Sequence, residues 1–449
     1  MTPLDFPLTA LSGLDEVVAD EVLRQYEEAP YPCSDDLVFA DYWKVPSLAW
    51  IETLANLGRR LDEPGIRILI AGCGTGRESF SFAKRFPGAQ IVGLDFSPRA
   101  IELAREFHQR RAEDYPQVEF QVGDLSDPAL PAALGEPFDF ISCHGVLTYI
   151  PPFAACFPVL RACLRPQGLC YVGVNGPMHD SIMIRGIFQR LGLDPSQQTN
   201  TTENRERLAA LDRWRLAMMG RDERKAVQAG RITIDRVSEE PWPYLSSDIF
   251  CAHLNNLPME EWVAPATAAG LHFLGSSAHF RYINALLNDD QLPAELQVLP
   301  EAELYRLAGI FAPVSFHQLL FSAAPPREPP WADPVELRRW RVWRNPHIDA
   351  DAIRGLIEAG AVPVNVAKGL EDFTTGRILV GTRTAQLILA ADGQRGLGEL
   401  LDAVGLNNKS APFWAERIRR LSVRCLLRLL PPEEFRHPGH HAEIRIRVL

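Results

Sequence analysis

No C-x-x-C pair occurs among the eight cysteines of this chain, Cys33, Cys73, Cys143, Cys156, Cys163, Cys170, Cys251 and Cys425, and most of them sit in apolar segments. That spacing offers neither a structural zinc set nor a disulfide framework, so the thiols read as small reduced hydrophobes and no metal site is expected. No run approaches the ~18 consecutive apolar residues of a membrane span. The opening MTPLDFPLTALSGLDEVVADEV lacks the basic start and unbroken apolar stretch of a secretory leader. A cytoplasmic protein with no membrane partner is expected. Positive charge is also scarce: the formal net charge is −11, with 19 Lys+Arg against 15 Asp+Glu from Arg327 onward, leaving 27 against 42 before it. An acidic body of this kind argues against tracking a nucleic-acid backbone. No internal repeat and no low-complexity tract is present.

What is there is ordinary for a folded protein, at 46% apolar and 23% charged residues over a length of 449 that suggests two or three domains. Residues 11 to 29 and 43 to 61 carry apolar residues at helical spacing, separated by a bend at APYPCSDD. From Ile66 the pattern changes. IRILIAG, AQIVGLD, VEFQVGD, FDFISCHG and GLCYVGVNG read as five strands, with amphipathic segments starting near Arg77, Pro98 and Pro152, an alternation that implies crossover connections and a parallel sheet. Ser97 before Pro98 signs one helix start. Residues 178 to 240 are polar and helical, as an insertion would be. A helix at Met259 to Ala269 and two further strands, LHFLGSS and VSFHQLLFSA, lead to the Pro-rich segment 324 to 330, the clearest linker. Beyond it, ELRRWRVWRNPH reads as a helix with an Arg-rich face and inward Trp340 and Trp343, and Phe413 to Leu430 as an amphipathic helix.

The chemistry gathers after the first strand. Gly72, Gly74 and Gly76 would let the chain turn sharply while a ligand touches bare backbone. A dinucleotide fingerprint needs its third glycine at position 77, which is Arg77, and no G-K-[ST] follows for a Walker loop. The second strand ends at Asp95, where a carboxylate can accept from two ribose hydroxyls; the third ends over Asp124, which can accept from an exocyclic amine. The fourth delivers His144 and Tyr149 to the same edge of the sheet.

In this order and spacing, ILIAGCGTG, VGLDFSP, FQVGD, FDFISCHGVLTYI and LRPQGLCYVGVNG resemble the class I methyltransferases that use S-adenosylmethionine, over residues 63 to 176. The resemblance implies an α/β fold: a Rossmann-like seven-stranded sheet, its last strand antiparallel, with an N-terminal helical preface (1–62), a methyltransferase domain (63–325) carrying a helical insertion at about 178–250, and a small winged-helix-like C-terminal domain (331–449). It also implies S-adenosylmethionine as cofactor, held by Ala71, Gly72, Cys73, Gly74 and Gly76 at the methionine part, Asp95 at the ribose, and Phe96, Asp124 and Leu125 at the adenine. His144 would lie near the sulfonium. The family usually carries Glu or Asp where this chain has Ala71, so another carboxylate, Asp41 or Glu78, would have to compensate. The flanks QYEEAPYP and HGVLTYIPP and the tail TAQLILAADGQRGLGELLDAVG are similar to bacterial protein-lysine methyltransferases with a C-terminal regulatory domain.

Methyl transfer from a sulfonium is an in-line displacement in which alignment and exclusion of water do most of the work, so no catalytic residue has to stand out. His144, Tyr149 and Asn175 are the candidates for contact with the reacting groups, and Tyr26, Tyr31 and Trp43 the candidates for a lid over substrate. The acceptor is expected to be a protein side chain such as lysine, or a small molecule; a homodimer remains among the partners to test. A regulatory protein that binds the donor without turnover is the alternative from another class, and a nicotinamide oxidoreductase a more distant one.

Overall fold

The computed structural model describes residues 12–32, 34, 38–39, 64–218, 236–276, 299, 301–311, 314–325, 328–345, 348–366, 378–406, 411–423 and 426–432. The alternation becomes a chain of α1 (Ser12–Glu28), β1 (Arg67–Ala71), α2 (Arg77–Arg85), β2 (Gln90–Asp95), α3 (Pro98–Arg110), β3 (Val118–Val122), α4 (Leu130–Leu134), β4 (Phe138–His144), α5 (Phe153–Cys163) and β5 (Leu164–Asn175). Three helices follow, α6 (Asp180–Arg190), α7 (Thr202–Met218) and α8 (Trp242–Asp248), then α9 (Met259–Ala268), β6 (His272–Ser276), α10 (Glu301–Phe311) and β7 (Phe316–Ser322). Seven strands form one sheet in the order β3-β2-β1-β4-β5-β7-β6, with β7 antiparallel to both its neighbours and β1 to β5 parallel.

Helices cover both faces, which is why the inner strands read as continuous apolar runs rather than alternating ones. Along β1, Ile68 and Ile70 face one core with Phe80, Phe82 and Phe140, while Leu69 and Ala71 face the other with Ile141, Phe157 and Trp262. The strand order reverses between β1 and β4, so a crevice opens at their carboxyl ends, where open parallel sheets bind ligands.

Two additions roof that crevice. Helices α6 to α8 enclose a small core of their own around Ile184, Phe188, Leu208, Leu245 and Phe250, and Asp212 on α7 accepts from the backbone of Val237 and Ser238 at 3.2 and 2.9 Å. Helix α1 ties the roof to the sheet. Gln25 accepts from Ala252 N at 2.7 Å and donates to Ser196 O at 3.0 Å, while Glu27 accepts from Ser97 Oγ at 2.7 Å and Arg99 N at 3.1 Å. Ser97 is thus both the cap of α3, accepting from Ala100 N at 3.0 Å, and the anchor of α1. Ser97→Ala removes both bonds, and a loss of about 1–2 kcal/mol in urea unfolding is expected, at the upper end of a lone capping residue.

Past the Pro-rich segment, β8 (Arg341–Arg344), β9 (Val364–Asn365), β10 (Leu379–Val380), β11 (Asp392–Gly396) and β12 (Leu427–Leu430) are interleaved with helices, and a three-stranded antiparallel sheet runs β11-β8-β12. Two expectations are corrected here. The Arg-Trp run is one short helix, Pro334–Leu337, followed by strand β8, because Arg341–Arg344 pairs with strands on both sides; Trp340 and Trp343 are buried all the same. The amphipathic helix ends at Val423, and Leu427–Leu430 pairs with β8 instead. The six described cysteines, Cys73, Cys143, Cys156, Cys163, Cys170 and Cys251, are buried free thiols; Cys33 and Cys425 lie outside the described residues. No described helix is long and apolar enough to cross a membrane.

Candidate active site

The glycine turn is built on Asp95. Gly72, Gly74 and Gly76 have φ of +76°, +53° and +99°, and the amides of Gly72 and Cys73 both donate to Leu94 O, at 2.7 and 2.8 Å. Gly74 N then donates to Asp95 Oδ2 at 2.8 Å and Ser97 N to Oδ1 at 3.0 Å, so one carboxylate holds the loop after β1 and the turn after β2 together. A side chain could not replace hydrogen at the first two glycines: a Cβ on Gly72 would stand 2.2 Å from Val146 Cγ2, and one on Gly74 would stand 2.6 Å from Tyr31 O. Thr75 Oγ1 donates to Pro32 O, which closes the turn from the preface side. Asp95 is only 8% exposed. Burial pushes its carboxyl above the ordinary range, and the amides of Ser97 and Gly74 pull it partly back.

These groups open on a cleft of about 1140 Å³ that runs from the glycine turn to the roof. Ligand pockets usually span about 300–1,000 Å³, so there is room for a donor and for part of an acceptor. Among the described residues, the carboxylates of Glu78, Asp95, Asp124, Asp180, Glu240 and Asp248 and the guanidiniums of Arg77 and Arg215 line it. Arg215 is paired with Asp180 at 2.9 Å.

Gly72, Cys73, Gly74, Asp95, Phe96, Asp124, Leu125, His144, Tyr149, Tyr26 and Tyr31, all singled out from the sequence, come together on this wall. Asp124 is exposed, its Oδ1 engaged by Ser126 N and Oγ at 2.8 Å each. His144 Nδ1 lies 2.8 Å from the Tyr171 hydroxyl and its ring packs on Phe316 at 4.9 Å. Tyr26 stands edge-on to both Phe96 and Tyr149, with ring centroids 5.9 and 6.2 Å away. Tyr31 lies 6.1 Å from Tyr244 of the roof.

Three expected residues do not reach the cleft wall. Ala71 is the buried end of β1, Gly76 lies under Phe80 and Phe120, and Asn175 is 1% exposed. Asn175 donates its backbone N–H to Thr148 Oγ1 at 3.0 Å and accepts from Trp262 Nε1 at 3.3 Å, while its side-chain amide has no hydrogen-bond partner among the described residues. Trp43 and Asp41 lie outside the described residues. Glu78, the other carboxylate considered for the place of Ala71, does line the cleft, and accepts from Ser142 Oγ at 2.5 Å.

The roof contributes what sequence reasoning missed. Asp248, at the end of α8, accepts from the Tyr149 hydroxyl at 2.6 Å, bonds the Tyr244 hydroxyl and lies 3.5 Å from His179 Nε2. Burial raises the Asp248 carboxyl, but the bonds from His179, Tyr149 and Tyr244 outweigh it and hold it below its usual value. Burial and then the Asp248 charge push the Tyr149 phenol well up. Asp248 sits in WPYLSSDIF, which matches no motif, and its partners Tyr149 and His179 come from segments about 100 and 70 residues earlier in the chain. Only the fold brings them together.

A family model described as a methyltransferase domain matches residues 69–170. Among curated proteins, a malonyl-[acyl-carrier protein] O-methyltransferase from Halalkalibacterium halodurans is 30% identical over 148 residues, 31% of this chain and 53% of that one. A probable biofilm formation methyltransferase from Pseudomonas putida is 29% identical over 165 residues, 29% of this chain and 38% of that one. The chain therefore spans about half the length, or less, of these relatives. Among solved structures, a protein from Rickettsia typhi described as PKMT2 in complex with AdoHcy superposes with a TM-score of 0.52 at 17% identity, covering 87% of this chain and 75% of that one. The sheet order, the glycine turn and these matches define a Rossmann-like methyltransferase fold. Residues 69–170 match a methyltransferase domain, within a seven-stranded unit that has this fold.

Proposed function

We propose that the chain transfers the methyl group of S-adenosylmethionine, by in-line displacement, to a nucleophile on a protein side chain such as lysine. The observation that carries the cofactor half is the Asp95 carboxylate, buried at the reversal of strand order and bonded to the glycine turn it faces. A carboxylate there accepts from vicinal ribose hydroxyls, and a turn with no third glycine at position 77 has no pyrophosphate to hold. Gly72 and Gly74 let the amino-acid part of the donor lie on backbone, with Glu78 available to its ammonium in place of a carboxylate at Ala71. Phe96 and Leu125 bound the adenine. The roof excludes water from the reacting centre, which strengthens every charge interaction inside it.

The protein-acceptor half rests on the rim. Met178 at the cleft and Ile182 and Met183 on the next turn of chain are 61%, 45% and 42% exposed, and Trp214, beside the cleft-lining Arg215, is 66% exposed. Exposed apolar side chains at Met178 and on the helix that follows it suit a macromolecular surface better than a free metabolite. The second reading, a small-molecule acceptor, is favoured by the activities for which several curated relatives are named, ubiquinone biosynthesis O-methyltransferases among them. Calorimetric titration of the full chain with S-adenosylmethionine, S-adenosylhomocysteine and NADH is the test, followed by a radiomethyl screen of proteins and metabolites. Binding of the first two without NADH is expected. Binding of NADH alone would remove the methyltransferase reading, and label found only in small molecules would replace the protein acceptor.

A further inference from the structure

The phenols of Tyr26, Tyr149 and Tyr244 and the Asp248 carboxylate gather in one wall of the cleft. Tyr149 gives its hydroxyl proton to Asp248, and Tyr244 bonds the same carboxylate. Ser247, which gives its proton to Tyr244 O at 3.0 Å, also bonds the Tyr26 hydroxyl. The Tyr149 and Tyr244 protons are therefore committed to Asp248, and what those two oxygens still offer is lone pairs. His179 Nε2 faces the same carboxylate at 3.5 Å, and its Nδ1 lies 2.8 Å from Ser181 Oγ. All of these groups line the same cleft as the glycine turn. The link to the donor side is short: Asp95 precedes Phe96, Phe96 meets Tyr26, Tyr26 meets Tyr149, and Tyr149 is bonded to Asp248.

We infer that this wall is the acceptor subsite and that it is built for an amine, with Asp248 and the oxygens of Tyr149, Tyr244 and Tyr26 holding the nitrogen that receives the methyl group. The inference rests on the proposed use of S-adenosylmethionine and deepens it by naming the acceptor's chemistry. A carboxylate and the phenol oxygens whose protons are given to it bind N–H groups, and bind them best when those groups carry positive charge. A carboxylate acceptor, with no N–H and a charge of the same sign as Asp248, is repelled. The ammonium enters, and one proton leaves to water at the cleft mouth. The two remaining N–H bonds turn to the wall, which points the nitrogen lone pair the other way, at the methyl carbon. The N–C bond then forms as the C–S bond breaks, its electron pair staying on sulfur to give the neutral thioether, and positive charge moves from sulfur to nitrogen. Asp248 meets that charge as it develops, which is stabilisation of the transition state over the ground state. In this account Asp248 binds and orients the acceptor and needs to accept no proton.

Sinefungin, the donor analogue with a primary amine on carbon in place of the methylsulfonium, carries its ammonium where this charge develops. Titration of the full chain with sinefungin and with S-adenosylhomocysteine compares a ligand that reaches the wall with one that does not. Wild type is expected to hold sinefungin about tenfold or more tighter than S-adenosylhomocysteine, as one charge-assisted contact allows. In Asp248→Asn the ratio falls to about one, with the S-adenosylhomocysteine affinity unchanged; Tyr149→Phe, which keeps the ring and loses the bond to Asp248, falls between. Thermal melts of both variants establish that they are folded, and Tyr149→Phe carries the test if Asp248→Asn is not. A ratio near one in wild type, or a ratio kept in both variants, overturns the inference while leaving the cofactor assignment standing. Failure of wild type to bind either ligand removes the cofactor assignment and this inference with it.

Discussion

Asp95→Ala abolishes cofactor binding, lowering the affinity for S-adenosylhomocysteine by at least about 100-fold in calorimetry, while the melting temperature of the unliganded protein stays within a few degrees of wild type. The first half follows from the hydrogen bonds that alanine cannot accept. The carboxylate accepts from Gly74 N and Ser97 N and, when the cofactor is bound, from ribose hydroxyls; bonds to a charged group are worth about 1.5–3 kcal/mol each. Removing it both unmakes the ribose bonds and loosens the turn on which the rest of the ligand lies. The second half follows from the direction in which the carboxyl is shifted. Burial raises it, and a carboxyl raised on folding binds protons more tightly in the folded than in the unfolded chain. Stability is therefore lost as pH rises through the unfolded value of about 3.9 towards the folded one. At neutral pH the ionised Asp95 costs the apo-protein stability, which offsets the two amides that alanine leaves without a partner. The same shift sets the acid limit of binding: cofactor affinity falls as pH drops through the raised value, starting at higher pH than an ordinary aspartate would impose. A variant with a lower melting temperature by about 10 °C or more and unchanged affinity would show Asp95 to be structural.

Gly72→Ala carries the second large effect, and its origin can be divided experimentally. At φ +76° a side chain brings a backbone penalty of about 1–2 kcal/mol. The added Cβ also meets Val146 Cγ2 at 2.2 Å and Cγ1 at 2.8 Å, closer than real carbons approach. Val146 lines the cleft, and it can yield only by moving the segment that leads to Tyr149. A stability loss of about 2–4 kcal/mol in denaturant unfolding, together with failure to bind cofactor, is expected. The double variant Gly72→Ala with Val146→Ala removes the two methyl clashes and leaves the φ penalty, so it recovers part of the stability and not all of it. Full recovery would mean that the left-handed backbone costs nothing here. No recovery would mean that Val146 is not the obstacle.

Much of the donor half of this site was legible from the sequence because it is built locally. Gly72, Gly74, Asp95 and Asp124 each stand at the end of a strand that its own apolar run announces, and a parallel alternation has one carboxyl edge to which such ends must come. The Ser97 cap was readable for the same reason, since Ser-Pro and the helix it starts are neighbours in the chain. What failed were short segments whose state depends on a partner. Arg341–Arg344 and Leu427–Leu430 are strands because they pair with each other, and in isolation the helical spacing of Arg and Leu around them was the stronger pattern.

The proposed acceptor half depends more on the tertiary structure. Tyr26 and Tyr149 stand out in the sequence as candidates beside the substrate, but His179, Tyr244 and Asp248 do not, and the five come from distant parts of the chain. Helix packing over the reversal point of the sheet turns them into one wall, where the Tyr149 and Tyr244 phenols bond Asp248. Sequence alone determined the strand order's raw material, the glycine turn and the acidic residues that follow it, because those depend on residues a few positions apart. What the cleft is proposed to accept depends instead on folding, because it follows from contacts between residues that the chain separates by up to about 220 positions.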